Sequence, residues 1–183
     1  MKTYVLILSR TFPVYHPKAG QPTYFKEQLQ NTFFDILAGR SACDLCKYET
    51  RNCDTCTYKY IEFRKKIYTL RANFDLWEKR IAKIKAGDAI LSIREWEGKP
   101  YRSKQVEIAR ISADDCLGIQ PFFVKERKIG NLGPSWFFFY SSCVAKDGGL
   151  STEDWENWVF RNKKFLQNKR IAIIHFTPFR YKK

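Results

Sequence analysis

Long hydrophobic runs are missing from the 183-residue chain. None approaches the roughly 18 residues that a membrane-crossing helix needs. The opening stretch, Met1 to Ser9, has too short an apolar part for a signal peptide and no small-residue cleavage site. It reads as a first strand. There is no internal repeat, no lipidation motif and no basic amphipathic helix. A cytoplasmic location without a membrane partner is therefore expected, which puts the six cysteines in a reducing compartment. Histidine is scarce: His16 and His175 are the two, well separated, and each reads as a satisfied structural residue. Acid is the minority charge, with 19 Asp+Glu against 33 Lys+Arg and a net charge of +14. That excess favours a polyanionic partner, nucleic acid being the commonest. Solubility or attraction to an anionic membrane surface is the alternative.

What is present suffices for a core: 44% of residues are apolar and 16% are aromatic. The length suits one domain spanning 1–183, with a polar, cysteine-rich insertion over 41–63. Tyr4 to Ser9 predicts a strand, and the loop from Arg10 to Pro22, with three prolines, forbids regular structure. Thr23 predicts a helix cap, with Phe25, Leu29, Phe33, Ile36 and Leu37 as the buried stripe and Gly39 as the stop. Lys66 to Arg71 predicts a strand. Asn73 caps a second helix with Trp77, Ile81 and Ile84 on one face. Strands follow over Ala89–Trp96, Gln105–Ile111, Ile119–Val124 and Trp136–Tyr140, with Lys125–Pro134 as a loop. Ser151 caps a last helix, with Trp155, Trp158, Val159 and Leu166 as its buried face. Arg170 to Phe176 closes the set. The predicted fold class is α+β: a small, mostly antiparallel barrel flanked by about three helices.

Cys43, Cys46, Cys53 and Cys56 form two C-x2-C pairs six residues apart. Four thiolates can surround one Zn(II), and a C-x2-C pair chelates from one turn. The insertion is too polar to make its own core, so metal binding would supply its folding free energy. Structural zinc is expected ahead of disulfides, redox thiols or idle cysteines. Cys116 and Cys143 read as core residues.

Arg64 to Arg71 places four basic residues on a strand and its approach. Period two sends Ile67, Thr69 and Arg71 one way and Lys66, Tyr68 and Leu70 the other. An inward Arg71 needs an anion, either a carboxylate of the protein or a ligand phosphate. Trp96 to Gln105 interleaves aromatics with cations, a pattern that stacks bases and neutralises phosphates. Tyr101 and Arg102 are its candidate contacts. Arg10, on the proline-rich loop, is a further candidate.

Two phrases point to a family. Asp35-Ile36-Leu37-Ala38-Gly39-Arg40, continued by Lys66-Ile67-Tyr68-Thr69-Leu70-Arg71, resembles the start of ASCH domains in the PUA-like superfamily. Those domains run from a helix ending in Leu-x-Gly-(Lys/Arg) to a K-x-x-T-x-R strand. A Gly-Asp turn into the next strand follows, here Gly87-Asp88. The resemblance covers about residues 4 to 111. It extends to small bacterial and phage proteins of this type through Ile7–Pro13, Ala72–Trp77 and Gly98–Gln105.

The resemblance implies a small barrel with a cleft for RNA or a modified nucleoside. Arg10, Lys66, Arg71, Tyr101 and Arg102 would supply the ligand contacts. It also implies an enzymatic alternative, amidohydrolysis of N4-acetylcytidine or ribonuclease action. Carried over by position, the amidohydrolase residues would be Lys66, Thr69 and, in place of the family's Glu, Asp147. Lys66 and Thr69 converge only if a bulge or the strand's start turns Lys66 inward. A third reading is a protein-interaction module that docks through the cysteine knuckle and aromatics.

Overall fold

The computed structural model describes residues 1–37, 65–125, 128–131, 137–138, 141–167 and 170–181. The insertion 41–63, with Cys43, Cys46, Cys53 and Cys56, lies outside the described residues. The chain begins with β1 (Lys2–Ile7), α1 (Phe25–Leu37), β2 (Tyr68–Ala72) and α2 (Phe74–Lys85). It continues through β3 (Ala89–Trp96), β4 (Gln105–Ile111), β5 (Gly118–Lys125), β6 (Lys128–Asn131) and β7 (Phe137–Phe138). Three helices, α3 (Ser141–Asp147), α4 (Thr152–Phe160) and α5 (Lys163–Gln167), precede β8 (Ile171–His175).

These strands form two sheets. One is ordered β1–β3–β4, with β1 parallel to β3 and β4 antiparallel to it. The other is ordered β2–β8–β5–β6–β7 and is antiparallel throughout. The α+β, mostly antiparallel expectation therefore holds. The closed barrel does not appear: among the described residues no ladder joins the two sheets. They meet instead where the Arg71 guanidinium, at the end of β2, donates to the Ile7 carbonyl at the end of β1.

Burial explains the arrangement. β8 is buried at all five positions, so Ile171, Ile173 and Ile174 pack on both faces of a central strand. On α2, Phe74, Trp77, Ile81 and Ile84 are buried at helical spacing. Pro121 cannot donate to a ladder, and it sits where β5 pairs β8 only, before the β6 pairing begins at Phe123.

Four expectations are corrected. The loop read over Lys125–Pro134 contains β6, because β5 offers it an edge to pair with. α3 carries only Val144 and Ala145 buried and has no apolar stripe to announce it. The last helix is two helices: the chain turns at Arg161–Asn162, and the Asn162 side chain accepts from the Lys164 N–H (3.0 Å) to start α5. Leu166 is consequently half exposed (50%) rather than buried. Cys116 and Cys143 are exposed, not core. No helix among the described residues is long and apolar enough to cross a membrane.

Candidate ligand-binding cavity

The end of β1, the start of α1, β2 and the α4–α5 helices enclose a cavity of about 390 Å³. That lies within the roughly 300–1,000 Å³ typical of small-molecule sites. Lys66, Thr69 and Arg71 all line it. The strand begins at Tyr68, so Lys66 lies on the approach and escapes the period-two rule that would turn it away from Thr69.

Lys66 is 4% exposed. Its ammonium donates to the Gly148 carbonyl (2.8 Å) and sits 3.6 Å from the centroid of the Phe25 ring. Burial, followed by the nearby positive charge of Arg71, lowers its pKa well below the ordinary lysine value. Arg71 is partly buried and donates to the Leu70 carbonyl (2.9 Å) and to that of Ile7. Desolvation brings its pKa down to about 10. Among the described residues these two hydrogen bonds leave three of its five N–H donors uncommitted. Among the described residues neither cation has a carboxylate partner, and no Asp or Glu lines the cavity. Thr69 is 5% exposed, and its hydroxyl has no hydrogen-bond partner among the described residues.

Aromatic side chains form the remaining wall. Trp155 is buried, and its indole N–H donates to the Tyr68 hydroxyl (3.0 Å), which donates in turn to the Val144 carbonyl (2.7 Å). Trp158 is partly buried, with its centroid 5.6 Å from both Phe12 and Phe25. The sequence shows Trp155 and Trp158 three residues apart on a capped helix, a pattern that reads as core. Only their position beside β2 makes them a wall. A strut sets that wall: the proline-rich loop is tied to α4 through His16 Nε2–H, which donates to the Asp154 carbonyl (2.9 Å), and Lys18 Nζ, which donates to the Asp154 carboxylate (2.8 Å). The His16 ring stacks on Phe12 at 4.4 Å, so the loop acts as a tether between the two elements.

The other candidates lie elsewhere. Asp147 lines no part of the cavity; its carboxylate accepts from the Tyr181 hydroxyl (2.9 Å), and its carbonyl accepts from the Ile67 N–H (3.0 Å). Arg10 donates to the Glu97 carbonyl at the β3–β4 hairpin. Tyr101 is 90% exposed at the tip of that hairpin, with its ring centroid 5.3 Å from that of Trp96, and Arg102 is exposed beside it. Apart from Asp147 and the cysteines, the predicted set thus divides into a cavity group and a hairpin group. His175, expected to be satisfied, is fully buried with both ring nitrogens unpartnered among the described residues. The four cysteines read as zinc ligands lie outside the described residues.

This arrangement can hold a flat ring against the indoles, offer a hydroxyl to its edge and place two cations beside a negative group. No family model matches the chain, and neither a curated protein nor a solved structure matches it.

Proposed function

We propose that the cavity binds a nucleobase-bearing ligand, RNA or a nucleotide, in the manner expected of an ASCH-like module. One observation carries this reading: Lys66 and Arg71, both desolvated, face a cavity with an indole wall and no carboxylate among its described lining residues. Buried charge without a counter-charge is costly, and an anionic ligand offsets that cost. The test is calorimetric titration with cytidine 5′-monophosphate. Arg71→Ala should weaken binding by at least about tenfold, the worth of one charge-assisted hydrogen bond. An unchanged Kd would remove Arg71 from the site.

A second reading is hydrolysis of N4-acetylcytidine. It is favoured by the lowered pKa of Lys66 in the cavity that Thr69 lines. An amine that deprotonates readily can serve as general base toward a water or the Thr69 hydroxyl. Incubation with N4-acetylcytidine should then release cytidine, and Lys66→Met should abolish the release. No turnover by the native protein removes this reading and leaves binding.

Structural zinc on Cys43, Cys46, Cys53 and Cys56 belongs to the same proposal. It rests on their spacing alone.

A further inference from the structure

A second concavity lies between β1 and α2. Lys2, Tyr4, Leu76, Lys79, Arg80 and Lys83 line a depression of about 490 Å³. Four of these are cations, and no acidic residue lines it. Leu76, Lys79, Arg80 and Lys83 fall on one face of α2, three and four residues apart. Among the described residues none of the four cations is paired with a carboxylate.

The surface is also ordered. Lys2 Nζ lies 5.4 Å and the Arg80 guanidinium 5.3 Å from the centroid of the Tyr4 ring. Arg80 lies 4.8 Å from the Trp77 ring as well. Interactions of this kind hold the cationic side chains in place at little cost to their charge. Leu76 is 41% exposed and adds an apolar patch.

β1 connects this depression to the cavity. Lys2 and Tyr4 line the depression, and Ile7 and Leu8 line the cavity. The three residues from Tyr4 to Ile7 advance about 10 Å along a strand. β1 therefore runs from the depression to the cavity over about this distance.

We propose that the depression is the track for the sugar–phosphate backbone of single-stranded RNA, one base of which enters the cavity. The proposal rests on the reading of the cavity given above and deepens it by giving the rest of an RNA chain a surface to follow. A row of cations matches the regular charge of a phosphate chain. A lone nucleotide seated in the cavity has no use for these groups.

The test uses the full chain and a variant carrying Lys79→Gln, Arg80→Gln and Lys83→Gln. All three lie outside the cavity. Fluorescence anisotropy with a labelled, mixed-sequence RNA oligonucleotide is read across a salt series. Cytidine 5′-monophosphate is titrated by calorimetry in parallel. The variant should lose at least about tenfold in oligonucleotide affinity, and its salt slope should become shallower by about 2, roughly 0.7 for each phosphate no longer neutralised. Mononucleotide binding should be unchanged. Equal oligonucleotide affinity and slope in the two proteins would overturn the track. So would native binding to the mononucleotide but to no oligonucleotide, with the cavity reading left standing. Binding to phosphatidylserine vesicles that needs the three residues, without binding to oligonucleotide, would assign the surface to membranes and overturn the proposal. Oligonucleotide binding that needs the three residues, without any mononucleotide binding, would uphold the track and overturn the cavity.

Discussion

His175 shows how one side chain ties stability to pH. It is fully buried, flanked by Tyr68 and Tyr181, and both ring nitrogens lack partners among the described residues. Burial, then the positive charge of Arg180, pushes its pKa from 6.5 down to about 3. The unfolded chain takes up this proton below about 6.5, and the folded chain does not until about 3. The folded state is therefore at full advantage above that unfolded value and loses it as pH falls, by about 1.4 kcal/mol per unit. Between pH ~7.5 and pH ~4.5, urea unfolding should show the wild type losing about 3 kcal/mol more stability than His175→Leu does. Equal pH dependence in the two proteins would contradict the neutral, buried ring. The leucine removes two orphaned polar atoms and should not itself destabilise strongly.

Gly149 shows a different constraint. Its φ is +81°, and a Cβ there would meet the Gln28 amide oxygen at 1.8 Å. The Gln28 amide N–H donates to the Gly149 carbonyl (3.0 Å), fastening α1 to the turn whose Gly148 carbonyl holds Lys66. Gly87 has the same φ with nothing within 4 Å of a Cβ. Gly87→Ala should cost about 1 kcal/mol, the left-handed penalty alone. Gly149→Ala should cost more, about 2–3 kcal/mol, because the Gln28 hydrogen bond breaks as well. Chemical denaturation of both variants checks this, and equal losses would refute the packing role.

At the scale of elements, α2 carries one wall of the basic depression, and its start depends on Asn73. That residue is left-handed, with φ 63°, and its side chain accepts from the Leu76 N–H. Asn73→Ala loses both the cap and the tolerance for this conformation, about 2 kcal/mol together. Asn73→Gly should recover most of the loss, since glycine accepts the backbone freely and costs only tenths as a cap. Thermal melting of the pair checks the assignment. The cap was legible in the sequence because Asn73 directly precedes a strict apolar stripe. The division of α4 from α5 was not: Asn162 looks like an ordinary surface residue until its side chain is seen capping Lys164. β6 escaped for a related reason, its glycine and asparagine reading as turn until β5 supplied a partner.

For the whole molecule, the net charge of +14 is a property of composition, but its effect depends on where the cations sit. Two of them, Lys66 and Arg71, are desolvated at the cavity, while Lys2, Lys79, Arg80 and Lys83 line one depression. The cysteine array supplies a separate whole-chain expectation. Purified protein should contain about one zinc per chain, and Cys43→Ser with Cys46→Ser should abolish it, since a tetrahedral site needs all four ligands. Elemental analysis reads this directly; full zinc content in the double variant would place the metal elsewhere. Removal of zinc by a chelator should lower the melting temperature, because metal binding and folding are linked.

Local chemistry determined much by itself: the strands Ala89–Trp96 and Gln105–Ile111, the helix capped by Asn73, the basic strand and the aromatic content. Each follows from short-range periodicity and capping, which neighbouring residues carry. Tertiary structure decided the rest. It brought Lys66 and Thr69 to one cavity by starting β2 at Tyr68, set the core residue Trp155 and its neighbour Trp158 along one side of that cavity and drew Asp147 away to Tyr181. It also set the strands in two sheets rather than a closed barrel. These outcomes depend on packing between residues far apart in the chain, where burial and desolvation decide and no local pattern carries the result.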